Sequence, residues 1–262
     1  MTGRIGLIGY PISHSQSPAL FREFFSSRPD ILERYSYELV ETPDFGEAIA
    51  FFRKYLVACN VTSPFKDMAF GAADDRSYRA MRAEAANLLF RNSVAGTERT
   101  VADNTDFSAV WQILSGLPAG NGKVLVVGCG GAAKAAAAAA VECGKDVSMT
   151  NRTLSKAEAF AENLLIYDPH HAGSLKDIVP PSGVRLESYG TVIVALPDEK
   201  AYAMYPFMDR LPCSGKTVIE ASYSNPQLAG IPGITYISGR EWLRLQAVET
   251  YKVVIGSDAF AD

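Results

Sequence analysis

Lys123-Val124-Leu125-Val126-Val127-Gly128-Cys129-Gly130-Gly131-Ala132-Ala133 is the stretch that decides the fold. A short apolar run rich in β-branched valine fits a strand covered on both faces. The glycines permit a tight turn, and Ala132 to Cys143 then reads as a helix, because alanine is the strongest helix former. The small side chains of Ala135 to Ala140 let that helix lie close on a sheet. Strand, glycine turn and helix in this order are the context a dinucleotide fingerprint needs. Gly128, Gly130 and Gly131 would let the backbone approach a pyrophosphate, and the helix start at Ala132 offers unpaired N–H groups and a positive dipole end. Ala133 takes the place of the usual third glycine, where one methyl is tolerable. A tight turn without a ligand is the competing reading; the flanking strand and helix favour the nucleotide.

Downstream, Asp146 to Thr150 reads as the next strand and Ser155 to Leu165 as the next helix. Between them stands Thr150-Asn151-Arg152-Thr153, with Lys156 close behind. An NAD site would place Asp or Glu here to accept from the ribose 2′-hydroxyl. Arg152 instead offers a planar fork suited to a 2′-phosphate, so the expected cofactor is NADP. The alternative, a solvated arginine at a helix start, is mildly disfavoured by the dipole. Thr191 to Leu196 and Thr217 to Ala221 supply further strands. Residues 168 to 188, with Pro169, Pro180, Pro181 and two glycines, read as loop, and a closing helix runs from Gly239 to about Ile255.

Upstream the same alternation appears. Arg4 to Gly9 is a short apolar strand ending at a Gly-Tyr-Pro turn, and Ser17-Pro18 starts a helix with Ser17 as N-cap and Leu20, Phe21, Phe24 and Phe25 at helical spacing. Tyr35 to Val40 and Val57 to Val61 read as strands, Phe45 to Leu56 and about 67 to 87 as helices, and Asn87 to Phe90 as the start of another strand. The fold class expected is α/β in two domains. A mostly parallel first domain spans 1–105 and is completed by a C-terminal helix, 239–262; a Rossmann-type second domain spans 106–238.

Composition agrees with this. The 262 residues suit two small domains, and 48% hydrophobic with 10% aromatic residues is ordinary for a globular protein. No apolar run approaches the roughly 20 residues that cross a bilayer, and Met1-Thr2-Gly3-Arg4 leads into a strand without a secretory pattern. A net charge of -4 gives no pull toward nucleic acid or an anionic membrane. Cys59, Cys129, Cys143 and Cys213 show no metal-ligand spacing. Reduced thiols in a cytoplasm, and no metal, are expected.

Two polar loops remain: Asn60-Val61-Thr62-Ser63-Pro64-Phe65-Lys66 and Ala102-Asp103-Asn104-Thr105-Asp106. Both fall at strand ends, where catalytic groups of α/β sheets collect. Reducing a ketone needs a positioned acid for the developing alkoxide, and a lysine beside a carboxylate can serve. Taken alone, either residue reads as a solvated surface charge more often than as a catalytic group. Together with Gly9 to Pro18, Gly128 to Ala132 and Asn151-Arg152-Thr153, in that order and at that spacing, these loops resemble the shikimate dehydrogenase family. The resemblance implies Lys66 and Asp106 as the catalytic pair. It implies Ser15, Ser17 and Tyr223 near a substrate carboxylate, Thr62 and Asn87 on ring hydroxyls, and Gln246 reaching the substrate from the closing helix. The cofactor would meet Gly128, Gly130, Gly131, Ala132, Asn151, Arg152, Thr153, Lys156, Ala221 and Gly239. From the residues alone, Ser17 is equally a cap, Gln246 equally a buried satisfied amide, and His14 a structural hydrogen-bonder.

The implied function is NADP-dependent reduction of 3-dehydroshikimate to shikimate, toward chorismate and the aromatic amino acids, by a monomer or homodimer. This chain departs from the family pattern at Phe107, where Gly is usual, and at Leu88, where Thr is usual. It departs again at Val194-Ala195-Leu196-Pro197 in place of Asn-Ala-Thr-Ser, and at Trp242 in place of Met. A site built to hydrogen-bond a hydroxyl discriminates strongly, so these changes bear on the substrate. A paralogue acting on quinate or a related ring acid is one alternative; a non-catalytic NADP-binding sensor is another.

Overall fold

The computed structural model describes residues 3–118, 122–167, 174–197 and 199–256. In chain order the elements are β1 (Gly3–Gly9), α1 (Ser17–Phe24), α2 (Pro29–Arg34), β2 (Tyr35–Glu41), α3 (Phe45–Tyr55), β3 (Ala58–Val61), α4 (Lys66–Ala72), β4 (Asp75–Arg76), α5 (Tyr78–Ala83), β5 (Leu88–Val94) and β6 (Thr97–Asp103). There follow α6 (Thr105–Ser115), β7 (Lys123–Val127), α7 (Gly131–Glu142), β8 (Asp146–Thr150), α8 (Leu154–Tyr167), β9 (Ser174–Ile178), β10 (Tyr189–Val194), α9 (Glu199–Tyr202), β11 (Thr217–Glu220), β12 (Thr235–Ile237) and α10 (Gly239–Val254). The chain divides into two compact units, Met1–Thr105 with Arg244–Asp262, and Asp106–Leu243. The closing helix was expected to leave the second unit at 239; its first turn, Gly239 to Leu243, counts with that unit. The expected extension from 257 to 262 lies outside the described residues.

In the first unit a six-stranded sheet runs β2-β1-β3-β5-β6-β4. β1 is parallel to β2 and β3, whereas β5 is antiparallel to both β3 and β6. The C-terminal ends of β1, β3 and β6 and the start of β5 therefore share one edge. On one side the core gathers Ile8, Phe52, Leu56, Val61, Phe65 and Leu89, with α3 held at its start by Asp44, whose carboxylate accepts from the Glu47 N–H. Two expectations change here. The long helix from 67 to 87 is α4, a two-residue strand and α5, because Asp74 and Asp75 are drawn to β6: Asp74 accepts from the Thr100 N–H at 2.7 Å and Asp75 pairs with Arg99. The antiparallel β5–β6 hairpin was not foreseen. Its turn, Ala95-Gly96, places both residues at positive φ, as a two-residue hairpin loop demands.

In the second unit six strands run β12-β11-β10-β7-β8-β9, all parallel. Read from β9 this is the order 3-2-1-4-5-6 of a doubly wound nucleotide-binding sheet, whose direction of winding reverses between β7 and β10. Ala135 to Ala140 are all fully buried, so the alanine run is the close-packing device the sequence suggests. Leu125, Val127, Val192, Val194, Val218 and Phe207 are among the residues that fill one face of this sheet. Within the segment read as loop, Ser174–Ile178 is an edge strand beside β8, and Leu175 is its one buried residue.

Candidate active site

The first unit's shared edge gathers the residues singled out above. Past β1, the Tyr10 N–H donates to the Ser63 carbonyl at 3.1 Å, tying the loop of Ser15 and Ser17 to the turn after β3. Thr62 donates its N–H to Ile8, Val61 donates to the Asn87 carbonyl, and Ala86 donates to the Lys66 carbonyl. Thr62, Lys66 and Asn87 are thus fastened together through backbone. Lys66 is half-buried at the first position of α4. Ser17 is buried but does not cap α1 as expected; Gln16 holds that position, and the Ser15 hydroxyl accepts from the Ser17 N–H and donates to its hydroxyl at 3.2 Å. His14 is exposed, and among the described residues its side chain makes no hydrogen bond, so it is not the structural hydrogen-bonder expected.

Behind this edge lies a buried polar network that sequence reasoning did not find. Tyr37 donates to Asn60 Oδ1 at 2.9 Å, and Asn60 Nδ2 donates to Thr250 Oγ1 at 3.0 Å and to the Asn87 carbonyl. The Thr105 hydroxyl lies 3.3 Å from Thr250 Oγ1. Asn87 accepts the Thr105 N–H at 2.6 Å and donates to Gln246 Oε1 at 3.2 Å. The Gln246 carbonyl also accepts from the Thr105 hydroxyl at 3.1 Å, so its amide nitrogen keeps its own hydrogens for another partner. Among the described residues, the hydrogen bonds of this buried amide are all made by its carbonyl oxygen. Nearby, Asp103 is bound by Arg79, Ser77 and the Asn104 N–H, which fixes the loop leading to Asp106.

In the second unit the glycine turn lies at the sheet's reversal. Gly128 has φ +109, and a Cβ there would stand 2.8 Å from the Ala195 carbonyl oxygen, so glycine is required where the chain leaves β7 beside the end of β10. Gly130 is the N-cap of α7, no side chain caps that helix, and a Cβ on Gly130 would meet nothing within 4 Å. Uncapped N–H groups facing open space are what a pyrophosphate needs. At the end of β8, Arg152, Thr153 and Lys156 are exposed and Asn151 Nδ2 ties the turn to the Thr153 carbonyl at 2.8 Å. Among the described residues no carboxylate pairs with Arg152; its guanidinium lies 4.0 Å from Met204 Sδ. This donor set fits a dinucleotide bearing an extra phosphate. Gly239 opens α10 where a Cβ would fall 2.6 Å from the Ala221 carbonyl oxygen, so the two expected cofactor contacts are neighbours.

Asp106 lies in the first turn of α6, where a carboxylate is favoured by the helix dipole. It is 6% exposed, and its Oδ1 accepts from Trp242 Nε1 at 2.9 Å. Tyr223 is half-buried in a loop anchored by Glu220, a fully buried carboxylate that accepts from Tyr202, Tyr236 and the N–H groups of Gln227 and Leu228. Among the described residues no cluster of His, Cys, Asp or Glu could hold a metal ion, and no helix is long and apolar enough to cross a membrane.

Residues 7–89 match the family model described as the shikimate dehydrogenase substrate binding domain. The chain is 31% identical to the shikimate dehydrogenase (NADP(+)) of Shewanella woodyi over 193 residues, 72% of this chain and 68% of that protein. It is 35% identical to that of Methylocella silvestris over 163 residues, 60% of this chain and 56% of its relative. The matched chain thus spans less than two thirds of the length of several such relatives. The crystal structure of shikimate 5-dehydrogenase from Thermus thermophilus, in complex with NADP(H) and shikimate, superposes with a TM-score of 0.76 at 25% identity, covering 97% of this chain and 94% of that one.

Proposed function

Because the chain belongs to the shikimate dehydrogenase family, we propose that it interconverts 3-dehydroshikimate and shikimate with NADP(H), in the route to chorismate and the aromatic amino acids. One observation carries this reading. Ser15, Ser17, Thr62, Lys66, Asn87 and Gln246 all stand at one edge of the first unit's sheet, most of them fastened there by hydrogen bonds. Ser15 and Ser17 would receive the substrate carboxylate, with Tyr223 beside it. Thr62, Asn87 and the Gln246 amide would receive ring hydroxyls.

When bound, the nicotinamide supplies the hydride for reduction and accepts it in reverse. Lys66 Nζ holds a proton at the carbonyl oxygen and releases it, directly or through an ordered water, as that oxygen gains charge. Asp106 would accept from the same substrate hydroxyl and keep it aligned. The cofactor would be held by Gly128, Gly130, Gly131 and Ala132 at its pyrophosphate, by Asn151, Arg152, Thr153 and Lys156 at its 2′-phosphate, and by Ala221 and Gly239 toward the nicotinamide. We place the enzyme in the cytoplasm as a monomer or homodimer; the cysteines Cys59, Cys129, Cys143 and Cys213 are all free thiols, as a reducing compartment favours.

Arg152→Asp tests the cofactor assignment. It removes the guanidinium and sets a carboxylate against the 2′-phosphate. KM for NADP should rise about 100-fold, from lost charge-assisted bonds and added repulsion, while KM for NAD changes by less than about 3-fold. Equal changes for both cofactors would overturn it. The altered residues Leu88, Phe107, Leu196 and Trp242 bear on the ring acid: full activity on quinate with none on shikimate would move the chain to the paralogue reading.

A further inference from the structure

We propose that Trp242 is a positioning residue for Asp106, a role that rests on the catalytic reading of Asp106 given above. Trp242 stands in the first turn of α10 and is 3% exposed. A buried indole N–H requires an acceptor, and here the acceptor is Asp106 Oδ1 at 2.9 Å, 136 residues away in sequence. A carboxylate turns easily about its last torsion, which is broad and two-fold. A hydrogen bond to one oxygen selects a single orientation, and a charge-assisted bond from a buried donor selects it strongly. The indole ring is itself fixed: a backbone N–H···O bond from Trp242 to Ser238 closes the helix start, and Gly239 seats that start against Ala221. Few degrees of freedom remain between the chain and the carboxylate.

The methionine usual at this place in the family pattern has no hydrogen to donate. In this chain, α10 therefore supplies an orienting donor to the aspartate. Trp242 touches no reacting atom in this scheme; its effect passes through Asp106.

Two substitutions, alone and combined, and one spectrum test this. Trp242→Phe keeps an aromatic ring but removes the donor. The expected result is a kcat about 10-fold lower with KM for shikimate within about 3-fold, since a misaligned partner affects the reacting geometry more than ground-state binding. In an Asp106→Ala background, Trp242→Phe should lower kcat no further, because the group it acts through is gone. A Trp242→Phe enzyme with wild-type kcat, or a loss that repeats in full on Asp106→Ala, would overturn the proposal. If Asp106→Ala itself leaves kcat unchanged, the catalytic reading fails instead, so the two failures are distinguishable. The spectrum needs no change at Trp242. The chain has two tryptophans, so uniformly 15N-labelled protein gives two indole N–H signals. Asp106→Ala should move the Trp242 signal upfield in the proton dimension and leave that of Trp111 in place; an unmoved Trp242 signal would overturn the proposal.

Discussion

Lys66→Ala should lower kcat for shikimate oxidation by about 10³-fold, within the 10² to 10⁴ that positioned acid–base groups typically supply. Asp106→Ala should lower it by about 10²-fold. The two effects should differ because the proposed roles differ: Lys66 would carry the proton, whereas Asp106 would align the donor. Substituting both should cost little more than substituting Lys66 alone, since residues acting as a unit are non-additive. Neither substitution should unfold the first unit's edge. Lys66 is joined to Ala86 through its backbone carbonyl, which alanine keeps. The hydrogen bonds that join Asn60, Asn87, Thr105, Gln246 and Thr250 run among those five residues, and both substitutions keep all five. Steady-state kinetics with a circular dichroism control checks this. A Lys66→Ala enzyme with native spectrum and undiminished kcat would contradict the assignment.

Glu220→Leu should destabilise the second unit by about 3–5 kcal/mol, the usual consequence of removing one partner from a buried charged cluster. Glu220 ends β11 and has no exposed surface, and its two oxygens accept from the hydroxyls of Tyr202 at 2.6 Å and Tyr236 at 2.7 Å and from the N–H groups of Gln227 at 2.7 Å and Leu228 at 3.2 Å. Leucine would leave those donors without their acceptor, each costing about 1–3 kcal/mol before relaxation. The thermal midpoint should fall by roughly 10 °C, read by differential scanning calorimetry. A midpoint within a degree or two of wild type would contradict this. Burial first, and then the hydrogen bond to Glu220, push both tyrosine hydroxyls above their ordinary range. Their raised values mean that the folded state holds these protons more tightly than the unfolded chain. The stability they contribute is complete below the unfolded phenol value of about 10 and is lost as pH rises beyond it. Tyr202→Phe should accordingly blunt the alkaline fall of the midpoint.

Legibility in the sequence followed the strength of local signals. The Val-rich β7, its glycines and the alanine helix α7 could be read because burial on all sides leaves an uninterrupted apolar pattern. The edge strand β9 has one buried side chain and lies in a proline-bearing segment, so it offers almost no periodicity to read. β6 alternates poorly: Thr97, Glu98 and Arg99 project beyond the covered part of the sheet, and Ala95-Gly96 lacks the Asn-Gly or Asp-Gly signal of a tight hairpin. The break between α4 and α5 comes from Asp74 and Asp75 reaching β6, a tertiary interaction stronger than helix propensity.

The site divides in the same way. Lys66, Asp106 and Arg152 stand in contiguous motifs, which is why they can be named as candidates from sequence. The long-range contacts could not be read. Asn60 meets Thr250 across 190 residues and Trp242 meets Asp106 across 136, and neither pairing leaves a spacing to recognise. The substitution of tryptophan for methionine at 242 was visible as a departure; that its N–H points at the carboxylate became visible only in the fold.

The central claim is an NADP-dependent oxidation and reduction at a shikimate ring, and the most direct measurement follows nicotinamide absorbance with the purified chain, offering shikimate and quinate each against NADP and NAD. The predicted result is rapid reduction of NADP with shikimate, at a kcat/KM at least tenfold above every other pair. No turnover with any pair, under conditions where NADP binds, would contradict the account and leave the chain as a nucleotide-binding protein without the chemistry.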